Sequence, residues 1–157
     1  MKRNSKKVLE ILNELIVVNN DRIKGYERAA AETRNDDFDL KQLFRSLADN
    51  SRQYSAELRN EVIRQGGEPA QGTSPLGSLY RAWMDIRAVL SGHSAMAILQ
   101  SCEYGEDAAQ KAYAEALEES YDLSYNVRTM MANQRDHLRE SHDLIRQYRD
   151  VQRVIRA

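Results

Sequence analysis

The chain has 157 residues, of which 30% are charged, with a formal net charge of −1, two prolines and one cysteine. That length can bury a core of its own, so neither disulfides nor structural metals are needed for stability. A near-neutral balance gives no global pull toward nucleic acid, and no apolar run approaches the roughly 20 residues of a membrane span.

Cys102 excludes an internal disulfide and suits a reducing compartment. The stretch from Val8 to Val18 is interrupted by Glu10, Asn13 and Glu14, which marks an amphipathic helix and not a signal-peptide core. We therefore expect one domain over residues 1–157, located in the cytoplasm, with no nucleic-acid or membrane partner. The basic ends (Lys2, Arg3, Lys6, Lys7; Arg146, Arg149, Arg153, Arg156) are expected to be solvated helix faces, and so is the acidic run from Glu103 to Asp122.

Ala, Leu, Glu, Arg and Gln dominate between turn signals, so the elements should be helices. The first is expected from about Ser5 to Thr33, with Leu12, Ile16, Asn19, Ile23, Tyr26 and Ala30 inward at bundle spacing. Asn35-Asp36-Asp37 supplies a turn and a cap. The second helix should run from Phe38 to Gln65 and stop at Gly66-Gly67, with Ser51 and Tyr54 in mid-seam between Leu47 and Leu58. A loop and a short helix, about Leu76 to Leu90, follow before the break at Ser91-Gly92. The third helix is expected from Ser94 to Glu119, with Ala95, Leu99, Cys102, Glu106, Ala109, Tyr113 and Ala116 inward. The fourth is expected from Tyr125 to Val154, with Val127, Met131, Gln134, Leu138, Ser141 or His142, Ile145 and Tyr148 inward.

The turns after helices one and three are short, so each pair should form an antiparallel hairpin. The stretch from residue 66 to 93 is too long for a turn and long enough to return along a helix of about 40 Å. The expected fold class is all-α: a ferritin-like four-helix bundle, two antiparallel helix hairpins joined by a long crossover containing a short extra helix.

The run Tyr80-Arg81-Ala82-Trp83-Met84-Asp85-Ile86-Arg87-Ala88-Val89-Leu90-Ser91-Gly92 carries a resemblance, with the stretch from Glu103 to Tyr113. So do Asn19 to Ala30 and Leu58 to Pro69. From about Leu9 to Glu118 the chain resembles the uncharacterised ferritin-like family filed as domain of unknown function 2383, whose relatives include rubrerythrin and bacterioferritin. The resemblance implies a ferritin-like bundle and no established activity.

Ferritin-like metal enzymes place one Glu on each of two helices and Glu-x-x-His on each of the other two, since residues three apart share a helix face. In such relatives a lone Glu lies seven residues before an inward Tyr. Glu106 stands so before Tyr113, but Asn19 takes that place before Tyr26. Ser51-x-x-Tyr54 stands where a Glu-x-x-His would be needed. On the last helix His142 is preceded by Arg139, and His137 by Gln134. Asn, Ser and Arg cannot neutralise two metal ions. The expected centre is therefore a polar core of Asn19, Ser51, Tyr54, Glu106, Arg139 and His142, with no metal or other cofactor. In it Glu106 is expected to bond to Asn19, Tyr54 or His142, or to pair with Arg139.

A shifted set of Glu27, Glu57, Glu103, Glu106 and His137 is the alternative ligand constellation, for iron or manganese. The expected function is a non-catalytic structural, interaction or stress-associated module that has lost the usual di-iron site, not an enzyme. The alternatives are a divergent metal-dependent oxidase or iron-binding protein and a small-molecule binder. A homo-oligomer, most simply a dimer, is the expected partner state; the tyrosines and the Trp83 segment are expected in core and crossover packing.

Overall fold

The computed structural model describes residues 2–73, 94–119 and 123–156. The expected short helix over 76–90, with Trp83, and the break containing His93 lie outside the described residues. Among the described residues there are four helices and no strand: α1 (Lys2–Glu32), α2 (Phe38–Arg64), α3 (Ala95–Glu119) and α4 (Tyr125–Arg156).

The helix ends follow the local chemistry. Asp37 caps α2, its carboxylate accepting from the Leu40 amide. The Ser94 and Ser124 hydroxyls accept from the amides of Ala97 at 3.3 Å and Val127 at 3.2 Å, capping α3 and α4. α2 stops where Gly66 takes φ +82°, and the Gly66 and Gly67 amides fold back onto the carbonyls of Ile63 and Val62. A Cβ at Gly67 would stand 2.7 Å from the Leu9 side chain, so the exit from α2 is pressed directly onto α1.

Cross-helix partners set the topology. Arg22–Ser51 and Asn20–Ser55 run α1 antiparallel to α2, and Tyr113–Gln134 and Leu117–Arg128 do the same for α3 and α4. Lys7–Glu119 and Arg22–Glu106 make α1 antiparallel to α3. α2 and α3 are therefore parallel, on diagonal corners of a ferritin-like bundle, and the connection between them joins opposite ends. Its first part is tied along α1: Asn13 donates to the Glu68 carbonyl and accepts from the Ala70 amide, and Asn20 donates to the Gly72 carbonyl.

The core has two apolar clusters. One gathers Leu12, Leu15, Leu58, Val62, Met131 and Leu138; the other gathers Phe44, Leu47, Ile98, Leu99, Cys102 and Ile145. A buried polar layer lies between them. One expectation for α1 fails here. Ile23 is only half-buried, whereas Arg22 is fully buried with Leu15, Asn19, Tyr26 and Ala29. The buried face of α1 is wider than a narrow stripe: Tyr26 and Ala30 stay buried on the expected line, while Leu15, Arg22 and Ala29 are buried on the line beside it.

Candidate functional site

The polar layer is built around Glu106, fully buried in mid-α3. Its Oε1 accepts from Arg22 Nε at 2.7 Å and from the Tyr26 hydroxyl at 2.7 Å. Arg22 Nη2 lies 2.6 Å from the same oxygen but is poorly aimed for a hydrogen bond. Glu106 Oε2 has no hydrogen-bond partner among the described residues. Both side chains of this ion pair are completely buried.

The Arg22 guanidinium bridges outward from the carboxylate. Its Nη1 donates to Ser51 Oγ, and its Cζ lies 5.2 Å from the centre of the Tyr26 ring. Tyr26 in turn stacks on Phe44 at 6.0 Å. Ser51 donates to Asn19 Oδ1 at 3.0 Å. The Asn19 amide donates to the Leu15 carbonyl at 2.9 Å and to the Tyr113 hydroxyl at 2.8 Å. Tyr113 passes the chain on to Gln134 Oε1 at 2.6 Å, and Gln134 reaches the Tyr54 carbonyl and Glu57 at 3.4 Å each. One relay of donors thus touches all four helices.

Burial and charge act in opposition here. Burial alone would lower the Arg22 pKa, but the adjacent Glu106 outweighs it and the guanidinium is held above its ordinary value. Burial first, and the Glu106 charge second, push the Tyr26 phenol well up. Burial also pushes Tyr113 up, against the Asn19 hydrogen bond.

The site residues expected from sequence divide into two groups. Asn19, Ser51 and Glu106 meet in this layer, and Tyr54 is buried beside it, offering its backbone carbonyl. Arg139 and His142 do not meet Glu106. Arg139 is exposed and lies near Asp136, and half-buried His142 places Nε2 2.7 Å from Asp107 on the outer α3–α4 edge. On α4 it is Ser141 that turns inward, one residue before His142. The missed residues are Arg22, Tyr26 in its bonding role, and Gln134 as a relay. Arg22 was available from the spacing Leu15-Asn19-Arg22-Tyr26-Ala29, and from Glu106's need for a cation.

The alternative ligand set is not brought together. Glu27 pairs with Arg52 at the surface, Glu103 with Arg149, and Glu57 is exposed. His137 stacks on Tyr54 at 5.9 Å, on the far side of the layer from Glu106's partners. Among the described residues no three His, Cys, Asp or Glu side chains are placed to hold a metal ion, and no helix is long and apolar enough to cross a membrane.

The fold and this layer define a ferritin-like bundle with an ionic centre. Residues 7–119 match the family described as Domain of unknown function (DUF2383), and the chain belongs to that family. Comparison with curated proteins gives no match. Among solved structures the chain is similar to a mutant of Dps1 from Mycobacterium smegmatis, with a TM-score of 0.81 at 13% identity over 95% of this chain and 99% of that one. It is also similar to a dodecameric thioferritin, the bacterioferritin-related protein from Bacteroides fragilis, with a TM-score of 0.76 at 15% identity over 97% and 90%. A ferritin-like, diiron-carboxylate protein from Bacillus anthracis str. Ames gives 0.70 at 17% identity, over 97% and 99%. At these identities the likeness is one of fold.

Proposed function

We propose that this protein is a non-catalytic ferritin-like bundle, a structural or self-association module, whose centre is closed by an ion pair in place of a di-iron site. The observation that carries this reading is the Arg22 guanidinium held on Glu106 Oε1. A di-iron centre needs several carboxylates around an open space, and a fixed cation there opposes a second one. The side chains around Glu106 are a guanidinium, a phenol, an amide and a hydroxyl, which do not fit that group. The guanidinium and the phenol do neutralise and hold a lone buried carboxylate through its Oε1.

Metal analysis of protein purified without chelator, combined with an oxygen-dependent ferrous oxidation assay, tests this. The expected result is far less than one metal ion per chain and no oxidation above background. About two iron, manganese or zinc ions per chain, the complement of a di-iron-type site, would overturn it.

We also read the chain as self-associating, at least to the dimer. The assembled state of the Bacteroides fragilis protein of the same fold supports this. Light scattering across a concentration series tests it, and a monomer at every concentration would refute it.

A further inference from the structure

We propose that the open groove between α2 and α4 binds a short linear diamine, with one ammonium on Glu57 and the other on Glu140. Two cavities of about 330 and 360 Å³ make up the groove, and Gln53, Tyr54 and His137 line both, so the two meet at the Tyr54–His137 ring pair. Glu140 lines the first cavity and Glu57 the second. Neither lining contains a lysine or an arginine. An anion therefore finds no opposite charge here, while a cation finds two.

The carboxylates are open to a ligand. At the other helix edges, acids pair across to a neighbouring helix: Glu27 with Arg52, Glu103 with Arg149 and Asp107 with His142. Among the described residues Glu57 and Glu140 have no ion-pair partner, and Glu57 accepts a single 3.4 Å bond from Gln134. Tyr54 points to a ligand independently. It is 5% exposed and lines both cavities, yet its hydroxyl has no hydrogen-bond partner among the described residues. Burial pushes this phenol up; Arg22 opposes, and Glu57, Glu106 and Glu140 add to the rise, so both groove carboxylates act on one ring.

Spacing selects the ligand. Glu57 stands level with Gln134, and from residue 134 to residue 140 α4 advances about 9 Å at 1.5 Å per residue. With a charge-assisted bond of about 2.8 Å at each end, a chain of a few methylenes fills the remainder. Those methylenes cross the ring pair, stacked at 5.9 Å, between apolar contacts from Leu47 and Leu144 at one end and Met130 at the other. A single ammonium reaches one carboxylate only. A metal ion is too compact to bridge them, and among the described residues no three ligating side chains converge. The described ends of the connecting segment lie on other edges: residues 68, 70 and 72 are tied to α1, and Ser94 opens α3.

Calorimetric titration of the full chain with putrescine and with butylamine tests this, on wild type, E57Q, E140Q and an opposite-edge control, E10Q/E115Q, each checked for helicity. Wild type should bind one putrescine per chain and should bind butylamine about fivefold more weakly, the worth of one solvent-accessible ion pair. E57Q and E140Q should each weaken putrescine about fivefold and bring the two amines to equal affinity, while E10Q/E115Q changes neither. Rising salt should weaken putrescine more than butylamine. No saturable binding at millimolar putrescine would overturn the proposal, and so would equal affinity of wild type for the two amines. Binding that survives E57Q and E140Q but is lost in E10Q/E115Q would move the amine to the α1–α3 edge and overturn it as well. Displacement of putrescine by equimolar magnesium would assign the carboxylates to a metal ion, with the same consequence.

Discussion

The α1–α3 and α2–α4 seams both carry polar side chains toward the bundle axis, yet at the level of Glu106 only the first is closed. Across α1–α3 the pairs are Arg22–Glu106 and Asn19–Tyr113, fully buried and at 2.7–2.8 Å. Across α2–α4 the contacts are a Tyr54–His137 ring stack and two 3.4 Å bonds from Gln134. That seam holds cavities of about 330 and 360 Å³ lined by Asn50, Gln53, Glu57, Asn133, His137 and Glu140. A polar residue draws helices together when its complement faces it; where water is the available complement, the helices stand apart.

The strongest way to break this contrast is to remove one charge of the closed seam. Arg22→Met should cost about 3–5 kcal/mol in urea unfolding, because Glu106 is left buried and uncompensated. The double variant R22M/E106L should recover most of that loss, since a matched apolar pair carries no desolvation penalty. If the double variant is as unstable as the single, the pair is not the unit that closes the seam. Glu106→Leu alone should strand the guanidinium and fall in the same range; unchanged stability and oligomeric state would show that the pair does not specify helix register.

Alkaline titration sharpens the contrast through the tyrosines. Tyr26 and Tyr113 are held above the ordinary value chiefly by burial. The unfolded chain therefore releases their protons near pH 10 while the folded chain keeps them. Their contribution is intact below about pH 10 and is lost as pH rises toward the folded values, by up to about 1.4 kcal/mol per pH unit for each group. Tyr113→Phe and Tyr26→Phe should each flatten the fall in urea midpoint above pH 10. Tyr54 is raised as well, again by burial first, but it lines the open seam and Tyr54→Phe should change the profile less.

Asn19→Ala ranks next. It removes the donor to Tyr113 and the acceptor for Ser51, leaving two buried hydroxyls short of a partner. A loss of about 1–3 kcal/mol is expected in the same assay.

The fold was legible in the sequence because helix stops, caps and loop length act locally: Asp37, Gly66-Gly67 and Ser124 mark boundaries where the structure has them. Glu106, Asn19 and Ser51 were legible as inward polar positions because an exact seam spacing survives over one or two turns. Arg22 was legible only along the neighbouring spacing Leu15-Asn19-Arg22-Tyr26-Ala29, since a heptad stripe through Ile16 favours the adjacent Ile23. Arg139 was chosen as the cation because it sits near a histidine in the chain, and rotation of α4 by a fraction of a turn carries it to solvent. The openness of the α2–α4 seam had no local signal at all; it depends on which pairs on the other seam found each other.

The smallest expected effect lies on that open seam and is the most discriminating control. His137 is exposed and its described aromatic contact is the Tyr54 ring. Its removal creates no cavity and strands no buried charge. His137→Ala should therefore move stability by no more than about 0.5–1 kcal/mol, the stacking contribution of one half-wet pair. Amide exchange gives the companion measurement. Helix α4 from Met130 to Leu144 should exchange faster than α3 around Glu106 in the wild type, and His137→Ala should leave the slow α3 amides unchanged. A loss comparable to that of Arg22→Met would mean that the ring stack, and not the ion pair, sets the spacing of the bundle, and the two seams would exchange roles.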